Sequence, residues 1–312
     1  MLKPRWMLPI GLLVLGAGTT IAQDYPTRTV RVVTGEPGGT NDFIARLLAQ
    51  GLAKGLGQNV IVENRPSNLI GEVVAKAPAD GYTLLVAGAT FVTVPLLQKT
   101  SYDPVKDFAP ITLATTSPAI MVVHPSLPVK SVKELIAFAK ARPGELNYSS
   151  SPGQQMGELF NTMAGIKIVR IPYKGGGPAI NALIGGEVQL MFATAAAATP
   201  HIKSGRLRAL AVTTPQPSAL GPGLPTVTST LPGFVSQNIY GIFAPVKTPE
   251  TIIRRVNREA VQFLNVPATK ELLLANGVEA IGSTPEELAD TVKSEMARLA
   301  KLNKDAGVRT ER

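Results

Sequence analysis

The sequence predicts an α/β protein with two lobes, each built on a mostly parallel sheet flanked by helices, and a cleft between the lobes. Short apolar runs alternate with amphipathic segments along most of the 312 residues, as expected of strands joined by crossover helices. This alternation comes in two sets, and a Pro- and Gly-rich segment separates the second set from a C-terminal helical part. Several strands also end in loops rich in Gly, Ser or Thr.

Residues 1–22 predict a secretory signal peptide that is cleaved near Ala22. Lys3 and Arg5 form a basic start, and an apolar run and small residues before the cleavage point follow. The apolar run is short for a membrane span of ~20 residues, so an uncleaved anchor is the weaker interpretation. The chain contains no cysteine, which excludes a lipoprotein, disulfides and thiolate metal sites.

The formal net charge of +9 carries little information about partners. The basic residues are scattered and few aromatic residues lie among them, so we expect no nucleic-acid partner. A positive field would favour small anions in a cleft, although a solvated basic surface is the commoner cause.

The first set of elements opens with a strand at residues 30–33, followed by the glycine-rich loop 34–42. The next predicted elements are a helix ending near Leu56, a strand at 60–62, a helix at 70–77 and a strand at 82–87. The loop predicts a site for a carboxylate or phosphate at the start of the first helix, with Thr40 or Asn41 as the helix cap. A plain turn between strand and helix explains the same residues equally well.

The second set begins with a strand at 111–123, broken by Ser117-Pro118. Ser131 and Glu134 predict a capped helix to about Ala141. The remaining predicted elements are strands at 146–148, 169–172, 188–193 and 207–213, and helices at 154–164, at 178–184 and near His201. Residues 214–233 predict a loop or linker.

The C-terminal part predicts a strand at 239–244 and a helix that Thr248-Pro249 opens and that runs to about Leu264. A helix at 269–276, a strand at 278–281 and a last helix opened by residues 284–287 follow. In the simplest arrangement, the C-terminal part of the chain packs in the first lobe. Domain 1 would then comprise residues 24–122 plus 240–312, and domain 2 would comprise residues 123–239. The hinges would lie near Val122 and Ile239.

No catalytic or metal-binding motif is apparent in the sequence. The two histidines, His124 and His201, lack a neighbouring acid or nucleophile at a recognisable spacing. Residues 174–177, Lys-Gly-Gly-Gly, lack the residue order of a phosphate-binding loop and predict a strand end and a helix start. Three polar loops, at 34–42, 149–155 and 194–197, would instead face one another across the cleft, which favours ligand binding without chemistry.

Motifs along nearly the whole mature chain resemble the substrate-binding proteins of tripartite tricarboxylate transporters, the Bug or TctC family. No single motif identifies the family, but so many motifs in the same order do. They are Pro37-Gly38-Gly39 with Asp42 and Ala45-Arg46, Leu56-Gly57-Gln58, Val62-Glu63-Asn64-Arg65-Pro66, Pro78 through Leu85, Leu146-Asn147-Tyr148, Gly157-Glu158-Leu159-Phe160, Val169 through Gly175, Ile184-Gly185-Gly186 and Leu207 through Val212.

The resemblance implies a periplasmic protein with a type II-like clamshell fold that captures a small organic acid for the permease subunits of such a transporter. It implies a monomer without a cofactor and without enzymatic activity. Carried over from the family, the residues that hold the ligand carboxylate, partly through water, are Pro37, Gly38, Gly39, Thr40, Asp42, Ser149, Ser150, Ser151, Gln154, Thr194 and Ala195.

Three departures from the family pattern leave the ligand open. Glu36 stands where Pro or Ala is common, the loop after Pro66 is short and lacks glycines, and a frequent histidine is replaced around Gln155-Met156. If Glu36 pointed into the cleft it would repel a carboxylate, and we expect it to face solvent instead. A sensing protein that presents its closed form to a membrane partner would have the same sequence features. A secreted enzyme is disfavoured by the missing catalytic set.

Overall fold

The structure, a computed structural model, describes residues 25–97, 99–150 and 156–305. The predicted signal peptide lies outside these residues. Within them, no helix is both long and apolar enough to span a membrane.

The first part of the chain follows the predicted order of strands and helices. The elements are β1 (Val30–Thr34), α1 (Thr40–Leu56), β2 (Val60–Asn64), α2 (Ile70–Ala75), β3 (Thr83–Gly88) and α3 (Ala89–Leu97). The sequence pattern does not predict helix α3, because its β-branched residues and Pro95 disfavour helix. Tertiary packing overrides this preference, since the Phe91 ring stacks on Tyr102 and contacts Phe108 and Phe243.

The middle part contains β4 (Phe108–Val123), α4 (Val132–Ala141), β5 (Asn147–Ser150), α5 (Met156–Ala164), β6 (Val169–Pro172), α6 (Gly176–Ile184), β7 (Leu190–Thr194), α7 (Ala195–Lys203) and β8 (Arg208–Val212). The predicted Ser131 cap is confirmed, since its side chain accepts from the Glu134 N–H at 3.2 Å. The predicted break at Ser117-Pro118 is wrong, because β4 is continuous there. Pro118, which has no N–H, lies where β4 stops pairing with one neighbour and starts pairing with another.

The C-terminal part contains β9 (Gln237–Pro245), α8 (Glu250–Leu264), α9 (Pro267–Ala275), β10 (Glu279–Ala280) and α10 (Pro285–Asp305). Thr284 and Glu287 form the predicted capping box at the start of α10, with bonds of 3.2 and 2.8 Å. Of the pair Thr248-Pro249 predicted at the start of α8, Pro249 is the N-cap residue, and no side chain in the described part of the chain caps the helix.

The strands form one ten-stranded sheet in the order β2-β1-β3-β9-β4-β7-β5-β6, with β8 and β10 also paired to β4. Strand β4 is shared: residues 108–118 pair with β9, and residues 119–123 pair with β7 and β8. The two predicted sheets are therefore two halves of one sheet. We call β1, β2, β3, β9, β10 and the first part of β4 the first half-sheet, and the remaining strands the second half-sheet.

Most strands of each half-sheet run in one direction, but the strand pairing is mixed: β1-β2, β1-β3, β5-β6 and β5-β7 are parallel pairs, and every pair that includes β4 or β9 is antiparallel. In the first, β1, β2, β3 and β4 run in one direction and β9 and the short β10 run against them. In the second, β5, β6, β7 and β8 share one direction and only β4 opposes them. Two of these strands lie at the junction of the halves: β9, which is reversed within the first half-sheet, and β4, which is reversed within the second.

Each half-sheet has two faces, and a separate hydrophobic cluster covers each face. In the first half, Val32 faces the cluster that includes α1 and α8, while Val33 faces the one that includes α2, α3 and α10. In the second half, Tyr148 packs with Phe160 of α5 on one face, and Met191 packs with residues of α6 and α7 on the other. Each half thus has its own core, which holds the loops at the strand ends in place.

Candidate functional site

The loop between β1 and α1 leaves the first turn of α1 open. Gly39 is the helix N-cap in an extended conformation, with φ −88° and ψ 173°, and no described side chain caps the helix. Thr40 and Asn41 lie inside the first turn, so the prediction that either one caps the helix is wrong. The first-turn N–H groups have no carbonyl one turn earlier. They form a region that attracts anions at the end of a buried strand.

Asp42 holds this loop in shape. Its side chain is only 8% exposed, and its carboxylate accepts bonds from the Gly38 N–H at 3.0 Å, from Arg46 Nε at 3.0 Å and from Asn64 Nδ2 at 2.8 Å. Asn64 also donates to the Gly35 carbonyl at 2.7 Å. The Gly38 N–H is therefore occupied, and Asp42 faces its own loop. Sequence reasoning missed Asn64 as a support, although it belongs to one of the motifs that carry the family resemblance.

The pKa of Asp42 shows that the hydrogen bonds of the loop stabilise its ionised carboxylate. Burial on its own raises the pKa, but the bonds from Arg46, Gly38 and Asn64 outweigh it and lower the pKa to about 2. A lowered pKa in the folded state stabilises the fold above the unfolded value of 3.8, and this stability is lost as the pH falls toward 2.

We expect Asp42→Asn to lower the free energy of unfolding by about 2 kcal/mol at pH 7, because the amide cannot replace the charge-assisted bonds. The difference from the wild type should shrink as the pH falls from 4 toward 2, because the Asp42 carboxylate of the unfolded wild type is protonated before that of the folded protein. Urea unfolding at pH 7 and pH 3 measures this. Glu145→Gln, at an exposed ion pair with Arg142, should change stability little at either pH. An equal loss for Asp42→Asn at both pH values would contradict the assignment.

A cavity of about 480 Å³ opens in front of the first turn of α1. Four of the predicted residues line it, namely Pro37, Gly38, Gly39 and Thr40. The other lining residues are Glu36, Asn41, Ser67, Gly88, Asn238 and Tyr240. No Lys, Arg or His is among the lining residues in the part of the chain that the structure describes. A bound anion would therefore meet backbone N–H groups and neutral side chains here.

Asn41 and Tyr240 form the floor of the cavity next to Gly88. A Cβ atom on Gly88 would lie 2.9 Å from Asn41 Oδ1 and 2.9 Å from the Tyr240 ring, so only glycine leaves both side chains room. Asn41 Oδ1 is buried without a hydrogen-bond partner among the described residues. Burial raises the pKa of Tyr240, so Tyr240 is a neutral hydroxyl at pH 7.

Glu36 is exposed and also lines the cavity. Its carboxylate accepts a bond from the Ser67 N–H at 2.9 Å and another from the Ser67 hydroxyl, and these bonds lower the pKa of Glu36. The expectation that Glu36 faces solvent thus holds only in part. Two of the departures from the family pattern, Glu36 and the loop after Pro66, are in direct contact.

The predicted residues of the second half-sheet lie outside this cavity. Ser149 and Ser150 end β5 and are buried. Ser150 Oγ accepts from Arg170 at 2.7 Å, and Ser149 Oγ has no partner within the described ranges. Thr194 is exposed at the end of β7 and its hydroxyl caps α7, whose first residue, Ala195, is buried. Ser151 and Gln154 lie outside the described residues.

The two histidines differ in their surroundings, since His201 Nδ1 is buried without a hydrogen-bond partner among the described residues. His124 Nδ1 lies 2.7 Å from Ser126 Oγ, at a turn. Gly175 is the N-cap of α6, which confirms the predicted strand end and helix start at residues 174–177. Among the residues that the structure describes, no group of three or more His, Asp or Glu could hold a metal ion.

A sheet in two halves, with a polar cavity at the carboxyl ends of β1 and β3, has the architecture expected of a two-lobed ligand-binding protein. The family model described as "Tripartite tricarboxylate transporter family receptor" matches residues 44–308. The chain belongs to this family of periplasmic solute-binding receptors, which is a receptor family and not an enzyme family. The resemblance seen in the sequence motifs is thereby confirmed.

Individual relatives agree with this assignment. The chain is 35% identical to the protein BugT of Bordetella pertussis, over 98% of both chains. It is similar to the solved structure of Rpa4515 of R. palustris with adipate, with 36% identity, a TM-score of 0.71 and coverage of 91% of this chain and 99% of that one. It is also similar to MatC of Rhodopseudomonas palustris with bound malate, with 30% identity, a TM-score of 0.67 and coverage of 89% and 99%.

Proposed function

We propose that this protein captures a small organic carboxylate in the cleft between its lobes and delivers it to the permease subunits of a tripartite tricarboxylate transporter. The observation that carries the proposal is the open first turn of α1 at one end of a 480 Å³ cavity. The adipate and malate in two similar structures support a carboxylate as the ligand. The proposal includes export by the signal peptide at residues 1–22 and action as a monomer.

In this proposal the carboxylate meets the N–H groups of Gly39 and Thr40, with Pro37 and Gly38 shaping the approach. Asp42 acts indirectly by fixing the loop. The second lobe supplies Ser149, Ser150, Ser151, Gln154, Thr194 and Ala195 when the lobes close. A few donors and bridging waters are enough, because transport needs reversible affinity.

The lobes of the proposal are residues 24–122 plus 240–312, and residues 123–239. The separate hydrophobic cores of the two half-sheets support a division into two lobes, although residues 119–122 pack in the cores of the second half-sheet. Strands β4 and β9 lie at the crossings near Val122 and Ile239, where we place the hinges. The Ser218 hydroxyl donates to Glu279 Oε1 at 2.8 Å and so links the segment before β9 to the first half-sheet.

A carboxylate that fits should raise the midpoint of thermal unfolding by several degrees. Binding to the folded form alone at 100 times Kd stabilises it by about 2.7 kcal/mol. A thermal-shift screen of mono-, di- and tricarboxylates, amino acids and aromatic acids measures this, and 1,6-hexanediol is the matched control for adipate because it lacks the charges. If no carboxylate shifts the midpoint, the proposed function is wrong.

A further inference from the structure

Among the described residues that line the cavity, Glu36 is the one with a charged side chain. It lies on the same short loop as the N-cap Gly39, and its carboxylate is bonded to Ser67, another lining residue of the cavity. A negative side chain beside an anion site is unfavourable unless the ligand also brings a compensating group. The ligand must therefore accommodate Glu36 as well as α1.

Contacts with Ser67 fix Glu36 at this place. The Ser67 N–H and hydroxyl both donate to the Glu36 carboxylate, which restricts the side chain. Ser67 can approach because Gly35 has no side chain: a Cβ there would lie 2.7 Å from Ser67 Oγ. An ionised carboxylate has about four acceptor positions, so the two bonds from Ser67 leave capacity for a donor from the ligand.

The donor that best matches Glu36 is a cation. A protonated amine both neutralises the carboxylate and donates hydrogen bonds, whereas a second carboxylate on the ligand at this place would be repelled. The preference of Glu36 for an amine over a carboxylate should strengthen when the lobes close on the ligand, because removal of water strengthens a charge interaction. No cationic side chain of the described lining residues competes for Glu36 within the cavity.

We propose that the ligand is an amine-bearing carboxylate, in which the carboxylate binds at the start of α1 and the adjacent protonated amine binds Glu36. This inference rests on the proposed function and names the ligand class for the same cavity. Glu36 is the specificity-determining residue, and Ser67 is a positioning residue that acts through Glu36.

Matched pairs of ligands that differ only by the amine test this proposal. Isothermal titration of the full mature chain would compare glutamate with glutarate, 2-aminoadipate with adipate, and 4-aminobutyrate with butyrate. In the wild type, at least one amine-bearing member should bind about tenfold or more tightly than its partner. In Glu36→Gln this ratio should fall to about one, by loss of affinity for the amine and a gain for the amine-free acid.

Two further variants make the result specific. Ser67→Ala should reduce the ratio by a smaller factor, because Glu36 keeps its charge but loses its fixed position. Glu145→Gln removes an exposed carboxylate that is not part of the cavity lining and should leave the ratio unchanged. Glu36 is exposed, so Glu36→Gln should fold, and its thermal midpoint without ligand checks this.

The outcomes separate this inference from the proposed function. If amine-free acids bind the wild type as tightly as their amine-bearing partners, the cavity binds carboxylates but the role of Glu36 is wrong. An unchanged ratio in Glu36→Gln has the same consequence. If no member of any pair binds but another carboxylate of the thermal-shift screen does, the ligand class is wrong and the proposed function stands. If no carboxylate binds in either experiment, both are wrong.

Discussion

Replacing Gly39 with valine is expected to weaken carboxylate binding by about tenfold or more and to change the free energy of unfolding by no more than about 1 kcal/mol. The backbone at Gly39 is extended, with φ −88°, so valine can adopt it. Among the described residues, a Cβ atom there would meet only the Glu36 carbonyl oxygen, at 3.9 Å. The added methyl groups would occupy the space in front of the first-turn N–H groups, where the ligand must approach.

Gly175→Val is a closely matched control for Gly39→Val. Gly175 is also the extended N-cap of a helix without a side-chain cap bond among the described residues, and no described atom lies within 4 Å of a Cβ built there. Calorimetric titration of both variants should show a large loss for Gly39→Val only. Equal affinity of Gly39→Val and the wild type would remove this loop from the binding site.

The second large effect concerns stability. Gly51→Ala is expected to lower the free energy of unfolding by about 2 kcal/mol, because a Cβ at Gly51 would lie 2.1 Å from Cγ of Phe263. Gly51 lies in α1, and the absence of a side chain there lets the Phe263 ring of α8 pack directly on the α1 backbone. The Phe263 side chain would have to leave its place against the core of the first half-sheet.

Gly177→Ala provides the opposite case for the same chemical change. Gly177 is in α6, and no described atom lies within 4 Å of the position that a Cβ would take there. Alanine at this position should leave stability unchanged or raise it by up to about 1 kcal/mol, as helix propensity predicts. Urea unfolding of both variants measures the contrast, and a Gly51→Ala variant as stable as Gly177→Ala would show that α1 and α8 pack differently.

The order of strands and helices is predictable because hydrophobic periodicity is local information. The errors arise where tertiary contacts override local preference. Helix α3 forms despite Pro95 because Phe91 is buried in an aromatic cluster, and β4 passes through Ser117-Pro118 because the missing N–H of proline falls at a change of neighbours. Neither fact can be deduced from the residues alone.

The sequence predicts only those residues of the cavity that belong to a single loop. Pro37 through Thr40 follow a strand and open a helix, which is a recognisable pattern. Gly88, Asn238 and Tyr240 join them only because β9 inserts between β3 and β4, and no periodicity reveals which strands become neighbours. The contact between Glu36 and Ser67 is likewise hidden, although both positions depart from the family pattern.

The insertion of β9 between β3 and β4 also bears on how the molecule folds. The pairing of Gly88 with Tyr240 joins residues that lie far apart in the chain, and closing so long a loop is slow. Strands β5, β6 and β7 pair within one continuous stretch, so the second half-sheet can form early. We therefore expect the cavity floor, which needs Tyr240, to form later than the second half-sheet.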